Sequence, residues 1–224
     1  MSKSKYNKIL TIILIILLIG ISAAMGYIGY QYYLKVKNDK ETAEVLEKFD
    51  TLIIELGNEN KIENPAQNNT EPHNNNNGMG GISTNNLYYR GYKVIGKLEM
   101  PSVNLQYPIL DMLTDGRAID YSIAMQYGAG INNVGNTIII GHNTYNGTFF
   151  GKNKRMKIGD IIYVTDLNGN RIAYEIYNKY ITPGTDYSYA NKNTNGYREV
   201  TLVTCDNNNA NRLVICAREI VSGN

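Results

Sequence analysis

EVTLVTCDNNNANRLVICAREI, residues 199–220, holds the most structural information in the chain. Two β-branched, apolar runs, Glu199 to Cys205 and Arg212 to Ile220, flank the polar turn Asp206 to Asn211, which is the pattern of an antiparallel hairpin. Closing that hairpin sets Cys205 opposite a residue near Arg212 and Cys216 opposite a residue near Thr201. The two cysteines then stand about 13 Å apart along the ladder. A disulfide needs Cα atoms within about 7 Å, so two free thiols are expected even in an oxidising compartment. Cys216 lies inside an apolar strand and reads as a small buried hydrophobe. Cys205 ends its strand ahead of the turn. A guanidinium beside its thiol favours the nucleophilic thiolate and can donate hydrogen bonds to an oxyanion. Arg212 is placed for this, although a strand-edge arginine is also an ordinary solvated charge. Arg218 shares its strand parity but lies farther from the turn.

Upstream, further β-rich runs are Tyr92 to Met100, Val103 to Leu110, Asn136 to Gly141, Asp160 to Thr165 and Arg171 to Ile181. Turn material such as Met100-Pro101-Ser102 and Leu167-Asn168-Gly169-Asn170 separates them. Seven or eight short strands in this span argue for an all-β domain, either a sandwich or a closed barrel. Arg117 to Gln126 is expected to be a short helix. His142 follows the apolar run Thr137-Ile138-Ile139-Ile140-Gly141, so it sits at a strand end beside the turn-rich segment Asn143 to Gly147. A lone histidine is usually incidental. A Cys, a His and an Arg, each at a strand end, form a plausible acyl-transfer site, with transfer to an amine and hydrolysis both open.

The amino-terminal region has a different character. No charge interrupts the chain between Lys8 and Lys35, and Ile9 to Tyr30 supplies the roughly 20 apolar residues that cross about 30 Å of hydrocarbon. Lys3, Lys5 and Lys8 make residues 1–8 a basic tail and favour an inside amino terminus, with the bulk of the chain outside the cell. Residues 9–30 are read as a retained anchor. The alternative is a cleaved signal peptide, with Ser22-Ala23-Ala24 as the cleavage site. Residues 31–57 form a juxtamembrane segment in which 39–56 is helical. Leu46, Phe49, Ile53 and Leu56 make one apolar stripe, expected to pack on the chain's own domain, and Gly57 can end the helix. Residues 58–86 are rich in Asn and Gly and read as a flexible spacer that carries His73. The folded domain is 87–224.

Composition narrows the function. Lys plus Arg is 22 against 20 for Asp plus Glu, and the resulting charge of +2 speaks against a nucleic-acid partner. Two cysteines and two histidines exclude a four-cysteine metal or iron–sulfur site and leave little for any metal cage. No phosphate loop or nucleotide fingerprint is present, so no metal and no cofactor are expected.

At this point a resemblance enters. Thr201-Leu202-Val203-Thr204-Cys205 is similar to the TLxTC signature of the sortases, cysteine transpeptidases of Gram-positive cell surfaces, and Arg212 stands where that family has its arginine. Asn136-Thr137-Ile138-Ile139-Ile140-Gly141-His142-Asn143 resembles the family's strand-ending GH segment. Phe149-Phe150 with Ile158-Gly159-Asp160 resembles its F-x-x-L-x-x-I-x-x-GD stretch. Gly96 to Pro101 and Tyr107-Pro108-Ile109 resemble its opening strands. The likeness runs from about Tyr92 to Ile220.

The resemblance implies an eight-stranded sortase β-barrel with short helices behind an amino-terminal membrane helix and a linker. It implies cleavage of an LPXTG-like sorting motif and a thioester on Cys205, with acid–base catalysis by His142 and substrate and oxyanion binding by Arg212. Thr204 and Asn143, which flank the nucleophile and the histidine, are the candidate substrate-binding residues. The implied partners are surface proteins bearing a sorting signal, a peptidoglycan-precursor or pilin amine, and the membrane. The segment Thr182 to Arg198 is shorter than the helix-bearing insertion of class B members, while His142-Asn143 with Asn146-Gly147-Thr148 is class B-like. No DPW- or DPF-like lid precedes the barrel, unlike class C, so a class B-like or class D-like member is expected. The rival readings are an extracellular cysteine peptidase that uses water and a non-catalytic anchored barrel that binds wall material.

Overall fold

In YKVIGKLEM every second residue from Val94 is buried. Val94, Gly96, Leu98 and Met100 are buried, and the residues between them are half-exposed, which is the period-two signature of strand β2 (Tyr92–Met100). The computed structural model describes residues 3–62, 87–112, 116–206 and 210–221. Around β2 stand β1 (Tyr88–Tyr89), β3 (Leu105–Asp111), β4 (Ile123–Gly128), β5 (Gly135–Ile140) and β6 (Ile161–Asp166). They are followed by β7 (Arg171–Pro183), β8 (Arg198–Cys205) and β9 (Asn211–Glu219). The order across the sheet is β1-β2-β3-β4-β5-β8-β9-β7-β6, and β6 pairs back onto β2. Strands β2 to β9 therefore close an eight-stranded barrel, with the two-residue β1 added beside β2. Of the two all-β options in the sequence, the closed barrel is the one formed.

Two pairings are parallel, β3 with β4 and β5 with β8; the rest are antiparallel. The barrel interior is filled by Leu98, Ile109, Ile139, Phe150, Ile162, Tyr174, Leu202 and Ile215, among others. Strands β5, β8 and β9 are buried in continuous runs rather than alternately. Their second face packs into another apolar cluster, in which Ile138, Val203, Val214 and Cys216 meet Tyr189 from the β7–β8 connection. Strands covered on both faces read as unbroken apolar sequence, which is what Ile138-Ile139-Ile140 and Leu213-Val214-Ile215 show.

Two expectations are corrected. Residues 117–126 are not one helix. A short 3-10 turn, Arg117–Asp120, gives way to strand β4. Ile123 and Ala124 hydrogen-bond into the sheet between β3 and β5, and this pairing overrides the local pattern. Nor does the amino-terminal helix stop at Gly57. Helix α1 runs from Lys3 to Ile62, into the stretch read as spacer; residues 63–86, His73 among them, lie outside the described residues.

The chain divides into two units, Met1–Glu41 and Thr42–Asn224. In the first, the aliphatic side chains from Ile9 to Ile21 are exposed, and α1 is long and apolar enough to cross a membrane. In the second, Val45, Leu46, Phe49 and Leu52 of α1 are buried. Val45 and Phe49 share a cluster with Val94, Leu110, Ala118 and Ala124, and Asp50 forms an ion pair with Lys97. The stripe packs on its own domain, and each fully buried side chain of this kind contributes about 1.5–3 kcal/mol.

Candidate active site

Cys205 ends β8 and Arg212 lies near the start of β9; the two are direct cross-strand partners, and Thr201 faces Cys216 in the same register. Residues so opposed carry Cβ atoms about 4.5–5.5 Å apart. The short turn fixes this pairing: the Asp206 amide donates to the Asn211 carbonyl over 2.9 Å, and Lys154 Nζ binds Asp206 Oδ1 at 2.8 Å. Both thiols are free, Cys205 half-buried and Cys216 buried against the Thr201 hydroxyl at 4.0 Å. Arg212 donates from Nη1 to the Asn211 carbonyl at 3.1 Å. Gly184 makes room for its guanidinium, because a Cβ there would stand 3.3 Å from Nη1 and 2.8 Å from the Ala210 carbonyl oxygen.

The parallel pairing of β5 with β8 sets Ile140 beside Val203, so the carboxyl ends of both strands emerge together. His142 follows β5 there, and its backbone is pinned on every side. The Gly141 amide donates to the Val203 carbonyl at 3.3 Å, the Thr204 hydroxyl donates to the Gly141 carbonyl at 2.7 Å, and the Phe150 amide donates to the His142 carbonyl at 3.0 Å. Gly141 must lack a side chain, since a Cβ would come within 2.9 Å of Ile123 and 3.1 Å of Phe150. Asn143 Nδ2 donates to the Cys205 carbonyl at 2.9 Å and ties the histidine segment to the nucleophile strand. The fold thus brings His142, Cys205 and Arg212 to one end of three adjacent strands. Thr204 is 3% exposed and, like Asn143, spends its side-chain bond on the site's own backbone.

Reading the sequence alone missed Asp120. Its Oδ1 lies 3.3 Å from His142 Nε2, and Oδ2 lies 3.6 Å from Arg117 Nε. Only the folded register shows it: β4 runs antiparallel to β5 with Ala124 opposite Ile140, which brings residues just before β4 beside those just after β5.

Arg218, the weaker arginine candidate, belongs to the far end of the hairpin. Its Nε and Nη2 bind Glu199 Oε1 at 2.9 and 2.8 Å, while Lys192 Nζ and the Tyr177 hydroxyl bind Glu199 Oε2 at 2.7 and 2.8 Å. Burial alone would raise the Glu199 carboxyl; hydrogen bonds from Lys192, Tyr177 and Arg218 outweigh it and hold the group below the usual carboxylate range. Among the described residues, no cluster of three His, Cys, Asp or Glu side chains is placed to hold a metal ion.

A model of the sortase domain matches residues 98–220. Sortase A of Bacillus anthracis is 29% identical over 114 residues, which make up 50% of this chain and 52% of that protein, so the chain spans about half the length of this relative. Among solved structures, sortase A from Corynebacterium diphtheriae superposes with a TM-score of 0.53 at 23% identity, over 59% of this chain and 63% of that one, a likeness of fold. A sortase D5 transpeptidase of Clostridium perfringens gives a TM-score of 0.51 at 26% identity, over 57% of this chain and 79% of that one.

Proposed function

The chain belongs to the sortase family, and on that premise we propose that it is a membrane-anchored cysteine transpeptidase with its barrel on the outer face of the cell. The supporting observation is the direct opposition of Cys205 and Arg212, with His142 tied to the same strand end through Asn143. In this reading the substrate is a surface protein carrying an LPXTG-like sorting motif. The Cys205 sulfur attacks the threonine carbonyl carbon, and Arg212 donates hydrogen bonds to the oxyanion that develops. The C–N bond to glycine breaks, and the departing amine takes a proton from the His142 imidazolium. A thioester remains on Cys205. An incoming amine, from a peptidoglycan precursor or a pilin lysine, gives its proton to His142 and attacks the thioester; the C–S bond breaks, and the Cys205 thiolate and the His142 imidazolium are restored together. Thr204 and Asn143 hold the nucleophile and the histidine in register, rather than contacting the sorting motif through their side chains. The apolar first unit of α1 supplies the anchor.

Intact-mass measurement on the full chain in detergent tests this. The chain is incubated with LPXTG-like and NPXTN-like peptides, with and without a glycine-based amine. The expected result is an acyl adduct on Cys205 that is absent from Cys205→Ala and discharges faster with the amine. Discharge at the same rate without amine identifies a peptidase. No adduct with any peptide, together with equal alkylation of Cys205 and Cys216, identifies a non-catalytic barrel.

A further inference from the structure

We propose that Asp120 is a positioning residue for His142: its carboxylate holds the Nε2 side of the imidazole and leaves Nδ1 as the nitrogen that exchanges protons with substrate and thiol. This rests on the transpeptidase reading. Three observations support it. Asp120 Oδ1 lies 3.3 Å from His142 Nε2. The carboxylate is carried by a fixed support, not a loose loop. Tyr121 and Ser122 amides donate to the Ala118 carbonyl at 3.1 and 3.2 Å, the Ser122 hydroxyl donates to the Pro108 carbonyl at 2.7 Å, and Ala118 and Ser122 are both fully buried. Ala118 also sits in the apolar cluster built on Phe49 of α1. The second carboxylate oxygen faces Arg117 at 3.6 Å, which turns the first toward the ring.

The chemistry follows from the imidazole. A neutral ring has one N–H and one lone pair, and the partner of one nitrogen decides the state of the other. A carboxylate accepts only, so it selects the Nε2–H tautomer. Both side chains are about half-exposed, at 44% and 46%, so the pair adds little to stability. Its value lies in which tautomer the ring presents.

The chain has two histidines, His73 and His142, so ring-nitrogen NMR on the histidine-labelled full chain in lipid nanodiscs is readily assigned, with His142→Gln marking the signal. At a pH above the ordinary imidazole range, the wild type should show the proton on Nε2, and Asp120→Asn should move the signal toward a tautomer mixture. With a sorting peptide that forms the adduct, Asp120→Asn should lower kcat about tenfold while KM stays within about twofold. Asp120→Glu should restore kcat to within about threefold of wild type. Unchanged ring-nitrogen shifts in Asp120→Asn overturn the proposal, as does a shifted tautomer with unchanged kcat, or a rise in KM alone. If no peptide acylates even the wild type, the transpeptidase reading fails and the NMR result alone decides the role of Asp120.

Discussion

The two ends of the β8–β9 hairpin present the same pairing with opposite outcomes. Each sets an arginine directly across from a residue of acidic chemistry: Arg218 faces Glu199, and Arg212 faces Cys205. At the first end a buried carboxylate meets two cations and a tyrosine, and its bonding capacity is used up internally. At the second, the partner is a half-buried thiol at a strand terminus, beside a histidine held by backbone bonds. A cross-strand arginine is therefore not in itself a functional mark. It stabilises when its partner is saturated and buried, and it can serve chemistry when its partner stands open at the rim of the barrel.

Substitutions at four positions break or sharpen that contrast. The largest effect is expected from Cys205→Ala, which should lower acylation by at least about ten-thousandfold and leave the thermal midpoint unchanged within error, as seen by intact mass and calorimetry. Arg212→Ala should cost about a hundred- to a thousandfold in kcat/KM, and Arg212→Lys should recover little, because an ammonium does not reproduce the guanidinium fork; steady-state kinetics with the acylating peptide checks both. Glu199→Gln should reverse the pattern, leaving kcat near wild type and destabilising the fold by about 3 kcal/mol in denaturant unfolding, since two cations lose their counter-charge. That loss carries a pH signature. A carboxyl held low in the folded state stabilises above its unfolded value of about 4.3, and the gain fades as pH falls through the lower folded value. The gap between wild type and Glu199→Gln should therefore be full at neutral pH and shrink below about pH 4. The smallest effect is expected from Cys216→Ala, at most about 1 kcal/mol of stability and no change in acylation, because its thiol only fills space beside Thr201.

How much of this was legible in the sequence depends on the range of the interaction. The hairpin register was, because a short polar turn joins two β-rich runs; Cys205, Arg212 and the separation of the two thiols follow from it. His142 was recognisable as a strand-end residue. Asp120 was not, for a physical reason: Ile123 to Gly128 becomes a strand only by inserting between β3 and β5, a pairing with no local trace. Once β4 was read as helix, the residue before it had no visible neighbour. The hydrogen bonds of Thr204 and Asn143 were hidden in the same way, since their partners, the Gly141 and Cys205 carbonyls, become known only when β5 and β8 are laid side by side. The helix stripe was visible, but its persistence through Gly57 was not.

The parallel pairing of β5 with β8 has a consequence in time. Cys205 and Arg212 are close in the chain and can meet early, whereas His142 reaches them only when strands far apart in sequence find each other. Such a non-local closure costs more loop entropy than a hairpin does. In the proposed transpeptidase, the Cys205–Arg212 pair therefore forms before His142 stands beside it.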